Sequence, residues 1–148
     1  MAFGERISFF RNLRGVTQKY LGLKLGFSQK YADTRVAHYE TERRTPKEDL
    51  VEQMAEVLDV SPHAITVPDI DSYVGLMHTL FAVSDTYCFK IDDIEGELCI
   101  TLDKSKGQTY VTMYKMLLQW KEKDDLYKAG KITKEEYDQW RYNYPKFK

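Results

Sequence analysis

Residues 15–46, GVTQKYLGLKLGFSQKYADTRVAHYETERRTP, admit few folds. Thr17 can cap a helix whose apolar positions Tyr20, Leu21 and Leu25 fall at helical spacing, and Gly22 on that helix is small enough to let a second helix cross closely. Gly26 ends it. Beyond the connection, Val36 and Tyr39 lie three apart and face inward, which leaves Thr34, Arg35, Ala37, His38 and Thr41 to face outward. Arg43, Arg44 and Lys47 follow. The stretch therefore predicts two short helices at a tight crossing, the second with a small, hydrogen-bonding outer side and a cationic flank.

The surrounding sequence completes a bundle. A first helix over residues 3–14 puts Phe3, Ile7 and Phe10 on its buried stripe, with Arg6 and Arg14 outside. Thr45, Pro46 and Glu48 read as a capping box with proline at the first helical position, opening a fourth helix whose apolar side is Leu50, Met54, Val57 and Leu58. Ser61 and Pro62 repeat the cap-and-proline device for a short fifth helix ending at Ile65.

Ile7, Phe10, Arg11, Thr17, Gln18, Leu21, Gly26, Ser28, Val36, Tyr39, Glu40, Pro46, Ala55, Leu58 and Val60 stand in an order that resembles the lambda-repressor-like, or XRE-type, helix-turn-helix domain. That resemblance implies a five-helix bundle over residues 4–65 that binds double-stranded DNA as a transcription regulator. It implies that Gln18, opening the second helix, contacts a phosphate, and that Thr34, Arg35, Ala37 and His38 on the third helix meet base edges. It also implies a structural ion pair between Arg11 and Glu40.

The chain departs from the family in two places. Between Gly26 and Glu40 it carries about four extra residues, close to one helical turn. Either Ser28 caps a third helix that starts a turn early, or the connection is longer and Asp33 is the cap; an acid at a helix start favours the second. The family's glycine after the third helix is Glu42 here, and a left-handed backbone there would be strained, so the helix is expected to end differently.

The formal net charge of −1 suits a DNA-binding chain only when divided along its length. Residues 1–47 hold ten Lys or Arg against four acids, a local balance of about +6, while residues 48–103 run acidic. The cations at Lys19, Lys30, Arg43, Arg44 and Lys47 thus lie where, with Gln18, they would meet phosphates.

Val67, Pro68 and Asp69 mark a boundary between a helix-turn-helix domain over 1–66 and a C-terminal dimerisation or interaction domain over 67–148. There Ile70, Tyr73, Val74, Met77, Leu80 and Phe81 recur at helical spacing, and the period then changes to two. Tyr87, Phe89 and Ile91, then Leu98, Ile100 and Leu102 across a turn at residues 93–96, predict a β-hairpin with one apolar side. Such a hairpin is marginal alone, so that side needs neighbouring helices or a second subunit. A long helix over 108–129 carries Val111, Tyr114, Leu117, Leu118 and Trp120, and Thr133 with Glu136 boxes the start of a last helix bearing Tyr137, Trp140 and Tyr144. Residues 126–140 resemble the SHOCT helical hairpin, which implies an oligomerisation or interaction role.

The fold expected is mainly α, an N-terminal five-helix lambda-repressor-like bundle followed by a small α+β part of one helix, a hairpin and two helices. With 43% hydrophobic residues, no membrane-length apolar run and no secretory segment, the chain should be cytoplasmic. Cys88 and Cys99 are too few for a zinc module or a disulfide framework, so no metal or cofactor is expected; His63 and His78 read as solvated or packed, and the aromatics over 110–144 as core. No nucleophile elbow, phosphate loop or zinc-protease helix gives an enzyme residues to work with. The expectation is a DNA-binding transcriptional repressor acting as a homodimer, reading the major groove with the helix from Asp33 to Thr41. Two rival readings are a protein-interaction module such as an antitoxin or mobile-element regulator, and a ligand sensor housed in the C-terminal part.

Overall fold

The computed structural model describes residues 3–68 and 70–145, which leaves Asp69 of the expected boundary outside the described residues. In chain order the elements are α1 (Phe3–Leu13), α2 (Gln18–Lys24), α3 (Ala32–Glu40), α4 (Glu48–Leu58), α5 (Pro62–Ile65), α6 (Tyr73–Thr86), β1 (Phe89–Ile94), β2 (Glu97–Leu102), α7 (Gln108–Lys128) and α8 (Lys134–Asn143). They form two compact units, one from Met1–Asp71 with Asp138–Lys148, the other from Ser72–Tyr137.

The first unit is a helical bundle around one apolar cluster, in which Ile7 and Phe10 of α1, Leu21 of α2, Val36 and Tyr39 of α3, and Val51, Met54 and Leu58 of α4 are buried together. Several local signals act as their chemistry dictates. Thr17 accepts the Tyr20 amide at 3.0 Å to cap α2, and Ser61 caps α5 with Pro62 in its first turn. Gly26 takes φ 83° just after α2, where Phe27 N–H returns to the Gly22 carbonyl at 3.0 Å.

Three expectations need correction here. Lys47, not Thr45, is the residue before α4, with no side-chain cap; Pro46 is buried outside the helix, and Glu48 and Asp49 in the first turn supply the favourable charge instead. Arg6 and Arg14 are not simply outward. Arg6 Nε donates to the Ala64 carbonyl at 2.9 Å and lays its guanidinium over the Phe10 ring, while Arg14 Nε donates to the Leu58 carbonyl at 2.7 Å, binding the end of α4. Finally, the second half of α8 packs in this unit rather than with residues 72–137. Tyr142 meets Phe10 edge-on at 4.9 Å and its carbonyl accepts the Ser61 amide at 2.8 Å, while Gln139 Nε2 donates to Asp59 Oδ2 at 2.8 Å.

In the second unit Ser72 caps α6 through the Gly75 amide at 2.9 Å. β1 and β2 pair antiparallel with Phe89 opposite Leu102, Ile91 opposite Ile100 and Asp93 opposite Leu98. Glu95 (φ 54°) and Gly96 (φ 86°) close them in a two-residue turn with positive φ at both positions, the geometry that follows strand twist. The capping box opening α8 forms both its bonds, Glu136 N–H to Thr133 Oγ1 at 3.1 Å and Thr133 N–H to Glu136 Oε2 at 2.7 Å. Tyr137 stacks on Tyr127 and receives the Trp120 Nε1–H at 2.8 Å.

Candidate nucleic-acid interface

α2 and α3 cross in near backbone contact. A Cβ on Gly22 would lie 2.4 Å from the Ala32 carbonyl oxygen, so glycine at that position sets how closely the helices approach. Leu21 and Val36 are buried beneath the crossing, which fixes the rotation of α3 about its axis.

The start of α3 corrects the expectation. Neither Ser28 nor Asp33 caps it; the residue before the helix is Tyr31, without a side-chain cap bond, and a turn closed by Tyr31 N–H on the Ser28 carbonyl at 3.0 Å takes up the extra residues. Asp33 instead sits inside the first turn, where Oδ1 accepts the Thr34 amide at 2.8 Å. The acid still meets the positive end of the helix, but as part of the helical surface.

The end of α3 corrects a second expectation. Glu42 does adopt the left-handed backbone, at φ 59°. Its carboxylate reaches the Gly4 amide at 3.4 Å, at the start of α1, and α1 begins so close to α3 that a Cβ on Gly4 would stand 2.4 Å from the Glu40 carbonyl oxygen. A carboxylate at a helix N-terminus is favourable, and this offsets part of the backbone strain.

Glu40 anchors the helix. Arg11 Nε donates to Oε1 at 2.5 Å and Arg11 Nη1 to the Val16 carbonyl at 2.8 Å, while Gln18 Nε2 donates to Glu40 Oε2 at 2.7 Å. The two flanking groups of Gln18 are thus a fixed carboxylate and the capped start of α2, and the amide is held rather than free to swing.

The residues singled out from sequence divide into two sets. Gln18, Thr34, Ala37 and His38 line one shallow depression, together with Asp33, Thr41 and Arg43. Arg35, by contrast, lies on the flank with its guanidinium 3.8 Å above the Phe27 ring centre. Lys19, Lys30, Arg44 and Lys47 are exposed outside the depression, with Lys30 over the Tyr31 ring. Asp33, expected as a cap, is a surface residue of the depression, and its spacing of one turn from Ala37 is the sequence signal for that place.

A second concavity, of about 630 Å³, lies within Ser72–Tyr137, lined by Val83, Phe89, Met113 and Met116 with Thr86 and Gln108. Among the described residues no group of three or more His, Cys, Asp or Glu is placed to hold a metal, and no helix is long and apolar enough to cross a membrane.

Residues 7–65 match the family described as Helix-turn-helix. Among solved structures, the transcriptional regulator BswR is similar to the chain at 25% identity and a TM-score of 0.44, over 57% of this chain and 94% of that one. No curated protein sequence matches the chain.

Proposed function

We propose that this protein, whose residues 7–65 match the helix-turn-helix family and resemble its XRE type, is a sequence-specific DNA-binding regulator that represses by occupying its operator as a homodimer. The observation that carries the reading is the exposed face of α3, where small and hydrogen-bonding side chains line a depression between cationic flanks. A major groove admits a helix of that kind. Thr34, Ala37 and His38 meet base edges; Gln18, Lys19, Lys30, Arg43, Arg44 and Lys47 contact phosphates. Arg35 reaches bases from its seat on Phe27, a stacked guanidinium being already ordered and so losing less freedom on contact.

Binding across operator variants and salt tests the division. Arg35→Ala should weaken binding about 5- to 150-fold and relax preference at one position, whereas Arg44→Ala should weaken every sequence alike and reduce the salt slope by about one. Equal losses on every operator for both variants would refute it.

Dimerisation is supported by the apolar surface of Ser72–Tyr137. Val74, Met77 and Phe81 form one stripe on α6, and Ile91, Leu98 and Ile100 share one face of the hairpin, each between 46% and 80% exposed. Exposed apolar stripes of this kind, on a two-stranded sheet and a helix, are surfaces that a second copy can cover. Two copies also supply the two recognition helices that a pseudo-palindromic operator needs. Ile91→Asp should turn a dimer into a monomer by light scattering and weaken operator binding; a wild-type protein monomeric at 100 µM would overturn the dimer.

The concavity lined by Val83, Phe89, Met113 and Met116 favours a second reading for the same unit, the binding of a small apolar effector. A library screen by thermal shift tests it, and filling the space with Met113→Trp should abolish any hit.

A further inference from the structure

We propose that Asp33 is a specificity determinant whose second carboxylate oxygen accepts the exocyclic amino group of a cytosine in the major groove. The inference rests on the DNA-binding reading above and names one base that reading leaves open.

An acid on a surface that faces a polyanion opposes binding through its charge, so its presence there needs an explanation from contact. Asp33 lines the same depression as Gln18, Thr34, Ala37 and His38. It stands in the first turn of α3, and the N-terminal residues of a recognition helix are those that approach base edges. Its Oδ1 accepts the Thr34 amide at 2.8 Å, which fixes the carboxylate, while Oδ2 has no hydrogen-bond partner and the residue no ion pair among the described residues. Ala37, one turn further along, is too short to cover it.

An ionised carboxylate can only accept hydrogen bonds. Guanine presents acceptors N7 and O6 in the major groove and thymine presents O4, so both repel it. Adenine offers an amino group beside the N7 acceptor, whereas the cytosine amino group has no acceptor of its own base next to it in that groove. Cytosine is therefore the base that this oxygen selects. Helix stabilisation at the first turn is a separate role, and it predicts no base preference.

The test is selection from a randomised duplex library by the full-length protein, Asp33→Asn and Asp33→Ala, with thermal unfolding of each. Wild type should require cytosine at one position of each half-site, by about tenfold over the other bases. Asp33→Asn, which is isosteric and carries both donor and acceptor, should shift that position to adenine, and Asp33→Ala should level it, with other positions unchanged. Profiles identical in all three proteins, or tighter binding to every sequence in both variants, would overturn the assignment to Asp33 while leaving DNA binding intact. Failure of the wild type to enrich any sequence would overturn both.

Discussion

The two units of this chain differ in what their apolar side chains face. In the unit built from Met1–Asp71 and Asp138–Lys148, stripes on four helices converge on a single cluster, with Ile7, Phe10, Leu21, Met54 and Leu58 wholly buried. In Ser72–Tyr137 the stripes are as regular, yet among the described residues only Cys88 and Tyr137 are buried. Amphipathic patterning predicts that a face will be covered; it does not say by which chain. A helical module can close on itself because its loops are short and its helices cross at close range, as at Gly22 and Ala32. Two strands and two helices without a third layer leave one face of the sheet open.

Substitutions at Phe10 and Ile91 bear on this contrast most strongly. Phe10→Ala should cost about 3–5 kcal/mol in chemical denaturation, because it empties a site at the centre of the cluster. Ile91→Ala, at 71% exposure, should change the stability of the dilute monomer by less than about 0.5 kcal/mol. Comparable losses from both would mean that Ser72–Tyr137 has a core of its own.

Next in size is the contribution of α8. Tyr142 lies edge-on to both Phe9 and Phe10, and its neighbours Gln139 and Asn143 bond to Asp59. Tyr142→Ala should lower the stability of this first unit by about 2 kcal/mol, measured by the hydrogen exchange of α1 amides. Protection of α1 that is unaltered by this change would show that residues 7–65 are complete without the C-terminal segment.

How much was legible in the sequence follows the same line between local and distant causes. Thr17, Gly26, Ser61 with Pro62, the hairpin alternation and the Thr133–Glu136 box all act within a few residues, and each took the place that its chemistry required. The outward phase of Thr34, Ala37 and His38 was readable because Val36 and Tyr39 set it. The docking of Tyr142 under Phe10 depends on residues more than a hundred positions apart, for which no periodicity exists. Arg14 looked like a surface cation for the same reason, its partner being the distant end of α4. The caps expected at Asp33 and Thr45 lie two residues from the observed ones, Tyr31 and Lys47, at helix starts where several polar side chains compete for one role.

The smallest effect sets one backbone conformation in the two units side by side. Glu42 and Glu95 both adopt positive φ, at 59° and 54°, which costs a residue other than glycine about 1 kcal/mol. Glu42 recovers part of this through its carboxylate at the start of α1, whereas Glu95 makes no hydrogen bond among the described residues. Glu42→Ala should therefore lose about 0.5 kcal/mol, since the strain stays and the carboxylate goes; Glu42→Gly should be neutral, relief of strain offsetting the lost contact and the added chain freedom. Glu95→Asn should gain about 0.5 kcal/mol, because asparagine tolerates the left-handed region and Asn-Gly suits the turn. Thermal unfolding reads the first pair and amide exchange at Ile94 and Glu97 reads the last. Equal responses to alanine at positions 42 and 95 would remove the difference, leaving Glu42 as strained as a hairpin turn and the start of α1 without its carboxylate.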